Sequence, residues 1–150
     1  MNPPLLLDPR GPRFAAAITS GVLVLILIFS AGWLALVQAV VFAVAALAPR
    51  YSPYGMVYRA VLAPRLPRPT ELEPAAPFRF AQSVGLVFVL VAAFGYLFGV
   101  PVLGLVFTAF ALLAAFLNAA FGLRLGCEVY LLWRRLNHRP LASRVPAPGN

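Results

Sequence analysis

FAAAITSGVLVLILIFSAGWLALVQAVVFAVAALA, residues 14–48, carries no charged side chain over 35 positions. A transmembrane helix needs about 20 apolar residues, with a lower limit near 17. The stretch is too long for one span and suits two short ones. Ser30-Ala31-Gly32 is the place to turn, because small and turn-forming residues interrupt the run there. The expectation is one helix over 14–30 and a second over 33–48. The same length argues against a cleaved signal peptide, whose apolar region is far shorter.

A second charge-free block follows from Phe80 to Leu123. Gly99 ends a helix over 80–98. Pro101 sits in the first turn of the next, over 101–123, where a missing N–H costs nothing. Composition agrees with both blocks. The chain is 62% hydrophobic and only 11% charged, with a mean hydropathy of +0.89. A soluble domain carries about 25% charged residues. Lipid is therefore the expected solvent for most of this surface.

The charges set the orientation. Twelve basic residues, all arginine, and four acidic ones give a net charge of +8. They fall in the N-terminal segment 1–13, the central loop 49–79 and the segment from Arg124 onward. The short turns near Gly32 and Gly99 have none. Four spans put the three charged segments on one side, and the excess of arginine makes that side cytoplasmic. The basic residues flank apolar blocks and form no soluble basic face, which argues against nucleic acid as a partner. The expected fold is an all-α membrane protein of four transmembrane helices in two hairpins, N- and C-termini cytoplasmic.

Two cytoplasmic segments have helical periodicity of their own. Over 53–62, Tyr54, Val57, Tyr58, Val61 and Leu62 share one face. Over 124–138, Val129, Leu132, Trp133 and Leu136 do the same, with Glu128, Arg134 and Arg135 off it. Both read as interfacial amphipathic helices. Residues 139–150 read as a disordered tail. The two hairpins also look alike. Arg13-Phe14-Ala15 opens one and Arg79-Phe80-Ala81 the other, and each ends in a segment with Gly and Tyr, at Gly55 and Tyr58 and at Gly126 and Tyr130. This is a weak parallel repeat.

Residues able to carry chemistry are few. There is no Ser/His/Asp set, no HExxH and no Walker A loop. One cysteine, Cys127, forms no intrachain disulfide, and no cofactor or metal site is legible. The lone His138 reads as a solvated side chain. The spans hold three amides: Gln38, Gln82 and Asn118. Asn118 shares a face with Ala111, Ala115 and Gly122, and Ala35, Ala39 and Ala43 make a similar row. Small residues so spaced let helices approach, and an amide among them bonds across the contact. The alternative is a polar pocket lined by the three amides. At the cytoplasmic mouth, Arg124 lies three residues before Cys127 and four before Glu128. A guanidinium favours the thiolate and a carboxylate opposes it. Cys127 is thus either a modestly activated thiol or a structural or lipidated one.

Asp8-Pro-Arg-Gly-Pro-Arg13-Phe14, Glu73 before Pro77, Phe80-Ala81-Gln82, Asn118, and Gly126-Cys127-Glu128 with Tyr130 resemble an uncharacterised bacterial family, domain of unknown function 4395. The resemblance runs from about Asp8 to Trp133. It implies an integral protein of the bacterial cytoplasmic (inner) membrane and no established activity. Many members of that family carry a second cysteine where Arg124 stands here. The dithiol which that pair would make is missing from this chain. The functional expectation is a non-enzymatic scaffold or subunit in the lipid bilayer, working with a protein partner or as a homo-oligomer. The alternatives are a thiol- or sulfur-handling protein using Cys127, and a small-solute transporter or channel.

Overall fold

The computed structural model of the chain describes residues 5–121, 125–137 and 145–146, with side chains over 5–120 and 131–137. Strand β1 (Leu6–Leu7) leads into α1 (Arg10–Phe29) and α2 (Gly32–Leu47). A 3₁₀ turn at Pro49–Tyr51 precedes α3 (Pro53–Val57), which continues as a π-turn over Tyr58–Leu62 and a 3₁₀ turn over Ala63–Arg65. Strand β2 (Glu71–Pro74) leads into α4 (Ala75–Leu97) and α5 (Pro101–Phe121). Helix α6 (Leu125–Leu136) and strand β3 (Val145–Pro146) complete the described elements.

The fold is all-α apart from these short strands. β2 pairs antiparallel with β1, Leu6 against Pro74 and Leu7 against Glu73. On its other edge β2 pairs with β3, Glu71 against Pro146 and Leu72 against Val145. The sequence did not announce this sheet: strands of two to four residues flanked by proline show no period-2 pattern. Within the stretch expected to be disordered, Val145–Pro146 is placed as a strand, and the rest lies outside the described residues.

Helices α1, α4 and α5 are long and apolar enough to cross a membrane, and α2 is a shorter apolar helix of 16 residues. At 1.5 Å per residue α2 spans about 24 Å, short of a hydrocarbon core of about 30 Å. Helices α1 and α4 begin earlier than hydropathy suggests, at Arg10 and Ala75 instead of Phe14 and Phe80. In each, the first turn contains a proline (Pro12, Pro77) and is followed by an arginine (Arg13, Arg79). These residues end an apolar pattern but not a helix, since a first-turn proline gives up only an N–H that has no partner anyway. Just ahead of α1, Asp8 Oδ1 accepts from the Arg10 N–H at 3.0 Å.

The first hairpin turns at Ser30, whose φ of 48° is left-handed, and Gly99 turns the second at φ 82°. Gly32 serves a different end. A Cβ there would lie 2.8 Å from the Leu97 side chain, so its bare backbone admits the end of α4.

The hairpins do not close on themselves equally. α1 and α2 pack on each other far less than either packs on the second hairpin. α2 runs along α4, α1 runs along α5, and α4 and α5 also pack together. Around α3 and its π-turn the chain leans on α1, and α6 leans on α4. Exchanging α1 with α4, α2 with α5 and α3 with α6 maps one set of packings onto the other. The arginines that open the hairpins follow the same exchange. Arg13 donates from Nη2 to the carbonyl of Ala119, near the end of α5, at 3.3 Å. Arg79 donates from Nε to the carbonyl of Ala46, near the end of α2, at 2.6 Å. Each takes up a carbonyl that the helix end leaves without an intrahelical donor.

The core joins Leu23 and Ile26 of α1, Ala35, Ala39 and Phe42 of α2, Val89 and Ala93 of α4, and Ala111 of α5. Outside it the bundle is apolar all round: Ile28, Phe29, Val40, Phe94, Val102 and Phe116 are exposed. A contiguous apolar surface of this kind needs lipid or a partner to cover it.

Candidate functional site

The small-residue row on α5 packs in the core through Ala111 and Ala115 and also borders a cavity. Ala111, Ala115 and Asn118 face a cavity of about 320 Å³ bounded by all four long helices. Pro12, Ala16 and Thr19 of α1 form one wall and Phe42 of α2 another. Phe78, Phe80, Gln82, Val84, Gly85 and Phe88 of α4 and Phe110, Leu113 and Ala114 of α5 complete it. The space has a steric origin. Alanines face inward on α5 and Gly85 faces Phe42, whose ring would stand 3.2 Å from a Cβ at that position. Phe42 thus spans the gap between α2 and α4, leaving the room above the α5 alanines unfilled.

The wall is largely aromatic and aliphatic, with Thr19, Gln82 and Asn118 as its polar members. Among the described residues no charged side chain lines it. Asn118 is half-buried, and its Oδ1 is buried with no hydrogen-bond partner among the described residues. Most buried polar atoms find a partner, and one that does not is a feature to be explained.

The structure therefore brings Gln82 and Asn118 together and separates Gln38 from them. Gln38 is fully buried on α2 and does not line this cavity. Its Oε1 accepts from the Tyr54 hydroxyl at 2.7 Å, while its Nε2 has no partner. Burial pushes the Tyr54 phenol above its ordinary value, against the opposing pull of the Gln38 bond. The hydroxyl stays a donor at neutral pH. Tyr54 was expected only on the apolar face of an interfacial helix; its bond to Gln38 could not be read from spacing, because it joins two helices across a turn.

A second, smaller cavity of about 160 Å³ adjoins the first, and Pro12 and Phe78 belong to both. Asp8, Ser52, Tyr58 and Arg59 are its polar lining. The Tyr58 hydroxyl donates to Asp8 Oδ2 at 3.0 Å, and the Asp8 carboxylate also lies 3.5 Å from Arg10 Nε. Arg10 in turn donates to the carbonyl of Pro67 at 2.9 Å, and Arg59 donates to that of Arg50. Burial raises the Tyr58 pKa, and the negative charge of Asp8 raises it further, partly offset by Arg10. This network ties β1, α1 and the π-turn into one end of the molecule. Of the expected apolar face, Tyr58 is buried and Tyr54 half-buried, while Val57 and Val61 are exposed.

At the other polar cluster, Arg124 lies outside the described residues, as do the side chains of Cys127 and Glu128; α6 carries the backbone of the last two. His138 also lies outside them. Further along α6, Leu132, Trp133 and Leu136 are exposed. Among the described residues no group of three His, Cys, Asp or Glu side chains could hold a metal ion.

A family model, Domain of unknown function (DUF4395), matches residues 7–135. The chain belongs to that family. The match takes in Asp8, both opening arginines, the cavity with Gln82 and Asn118, and α6 through Arg135. No curated protein and no solved structure matches the chain. Membership of DUF4395 supplies no activity, so what this member does must be argued from its cavity.

Proposed function

We propose that this DUF4395 protein is a four-span, non-enzymatic protein of the bacterial cytoplasmic membrane that holds a small uncharged molecule in the cavity between its helices. The observation that carries the reading is the cavity itself: about 320 Å³ with Gln82, Asn118 and Thr19 in an otherwise apolar wall. That volume is at the lower end of the range for small-molecule sites, and such sites combine apolar walls with a few polar groups that fix orientation. A scaffold or subunit, the reading that four spans without charged or catalytic groups favour, gives no reason for a recess of this size with polar groups in its wall. Among the described residues the lining is uncharged, which favours an uncharged occupant, because an ion would meet no partner among them.

Two features support α2 as a fourth span despite its length. Its C-terminal carbonyl at Ala46 meets Arg79 in the early turns of α4, and Gly32 at its other end meets Leu97 at the far end of α4. α2 therefore runs beside α4 from the level of Arg79 to that of Leu97. The cytoplasmic side is then the one carrying Asp8, Arg10, the α3 segment and α6.

The test is co-purification. Wild-type protein extracted in mild detergent should release a small molecule to organic solvent, identified by mass spectrometry. Ala115→Phe, which adds a ring inside the cavity, should purify as well and carry none. Equal recovery of every extracted molecule from the two proteins would refute the reading.

A further inference from the structure

From the cavity's openings and its unmet hydrogen bond we infer that the occupant enters sideways from the bilayer and presents a hydroxyl group to Asn118. This rests on the proposed function and specifies its ligand. The route follows from three side chains. Val84 of α4 and Phe110 and Leu113 of α5 line the cavity, and all three are exposed, Phe110 at 57% and Leu113 at 52%. The cavity is therefore open along these side chains, and what surrounds them in a spanning bundle is hydrocarbon. Toward the charged end the cavity is closed off differently, since buried Phe78, with Pro12, stands between it and the smaller cavity of Asp8 and Tyr58. A water-borne solute would have to pass that ring. A lipid-dissolved one meets only mobile aliphatic and aromatic side chains.

The chemistry follows from Asn118. Its Oδ1 is an acceptor without a donor among the described residues. The terminal torsion of asparagine is broad and soft, so the amide can turn toward an arriving group. A hydroxyl both donates and accepts, and so answers either end of an amide. An ether, ketone or ester carries no donor and leaves Oδ1 unmet. A carboxylate or ammonium group would meet no opposite charge among the described lining residues. The five phenylalanines among the lining residues (Phe42, Phe78, Phe80, Phe88 and Phe110) favour a flat unsaturated body behind the hydroxyl.

The experiment uses full-length protein in lipid nanodiscs with 1-naphthol, its methyl ether, and 1-naphthol-4-sulfonate. Retention of each is measured by equilibrium dialysis against protein-free nanodiscs. The expected result is saturable retention of naphthol, about tenfold weaker retention of the ether, the scale of one unmet buried partner, and no competition by the sulfonate. Asn118→Leu should bring naphthol and ether to equal retention, and Ala114→Phe should abolish both. Gel filtration of each variant checks that it is folded. Equal retention of naphthol and ether by the wild type overturns the hydroxyl assignment while leaving the cavity a binding site. Competition by the sulfonate overturns entry from the bilayer. Retention of neither overturns the inference altogether, and the co-purification experiment then judges the proposed function separately.

Discussion

At the residue scale, Gly95 and Tyr58 make the sharpest claims. A Cβ on Gly95 would lie 2.5 Å from the backbone nitrogen of Gly104 and 2.9 Å from the Val100 carbonyl. Backbone cannot swing aside as a side chain can, so Gly95→Ala must push α4 off α5. Overpacking of this kind costs about 1–3 kcal/mol, and the variant should melt several degrees below wild type in detergent. Gly21→Ala is the control, since nothing lies within 4 Å of a Cβ there. Tyr58 makes a pH-dependent claim. Its pKa is raised in the fold, so the neutral phenol is the favoured form. Stability from the Tyr58–Asp8 bond is then fully present below the ordinary phenol value of about 10 and is lost as pH rises through the folded value. Tyr58→Phe should be less stable than wild type by about 1 kcal/mol at pH 7. Melting curves of the two proteins should converge above pH 10.

At the element scale, the arginine clasps decide how the hairpins meet. Arg79 bonds the end of α2 and Arg13 the end of α5. A cation at a helix C-terminus also meets the negative end of the helix dipole. Arg79→Ala should cost about 1 kcal/mol or more, because it leaves the Ala46 carbonyl unmet at a part-buried site. Arg13→Ala should cost less, since its bond is longer and exposed. Differential scanning of the two variants checks the order; the reverse order would argue against the clasps. Much of the element scale was legible beforehand. Long charge-free runs gave the positions of four helices, and Gly99 and the Ser30 region gave both turns, because hydropathy and turn residues are local signals. What was not legible is relational. The Ala111, Ala115 and Asn118 row reads as a tight contact on its own helix, and only the opposing Phe42 and Gly85 make it a cavity wall. Gln38 looks equivalent to Gln82 until the partner of each is known. Which neighbours these residues meet depends on the pairing of α1 with α5 and of α2 with α4, and no periodicity encodes that.

At the scale of the whole molecule, every structural feature assigned to the cytoplasmic side is coupled to one topology. Cys127, the single cysteine in the sequence, tests it without mutagenesis. An impermeant maleimide should label it in inside-out vesicles and leave it unlabelled in right-side-out ones. Labelling in right-side-out vesicles alone would invert the orientation. If the label is added across a pH series, the same experiment reads thiol reactivity, and alkylation well below the ordinary thiol value of about 8.5 would support activation by Arg124.

The reciprocal clasps also bear on biogenesis. As the chain leaves the ribosome, the first hairpin enters the membrane with Arg13 lacking its carbonyl and the Ala46 carbonyl lacking its guanidinium, because both partners are encoded more than 30 residues downstream. α1 and α2 have little mutual packing to hold them meanwhile. The first half is thus a waiting template, completed only when the second is inserted. Two fragments divided in the loop near Pro69 should accordingly be degraded when made singly and accumulate when made together, and a second hairpin from a neighbouring copy would serve as well as the chain's own.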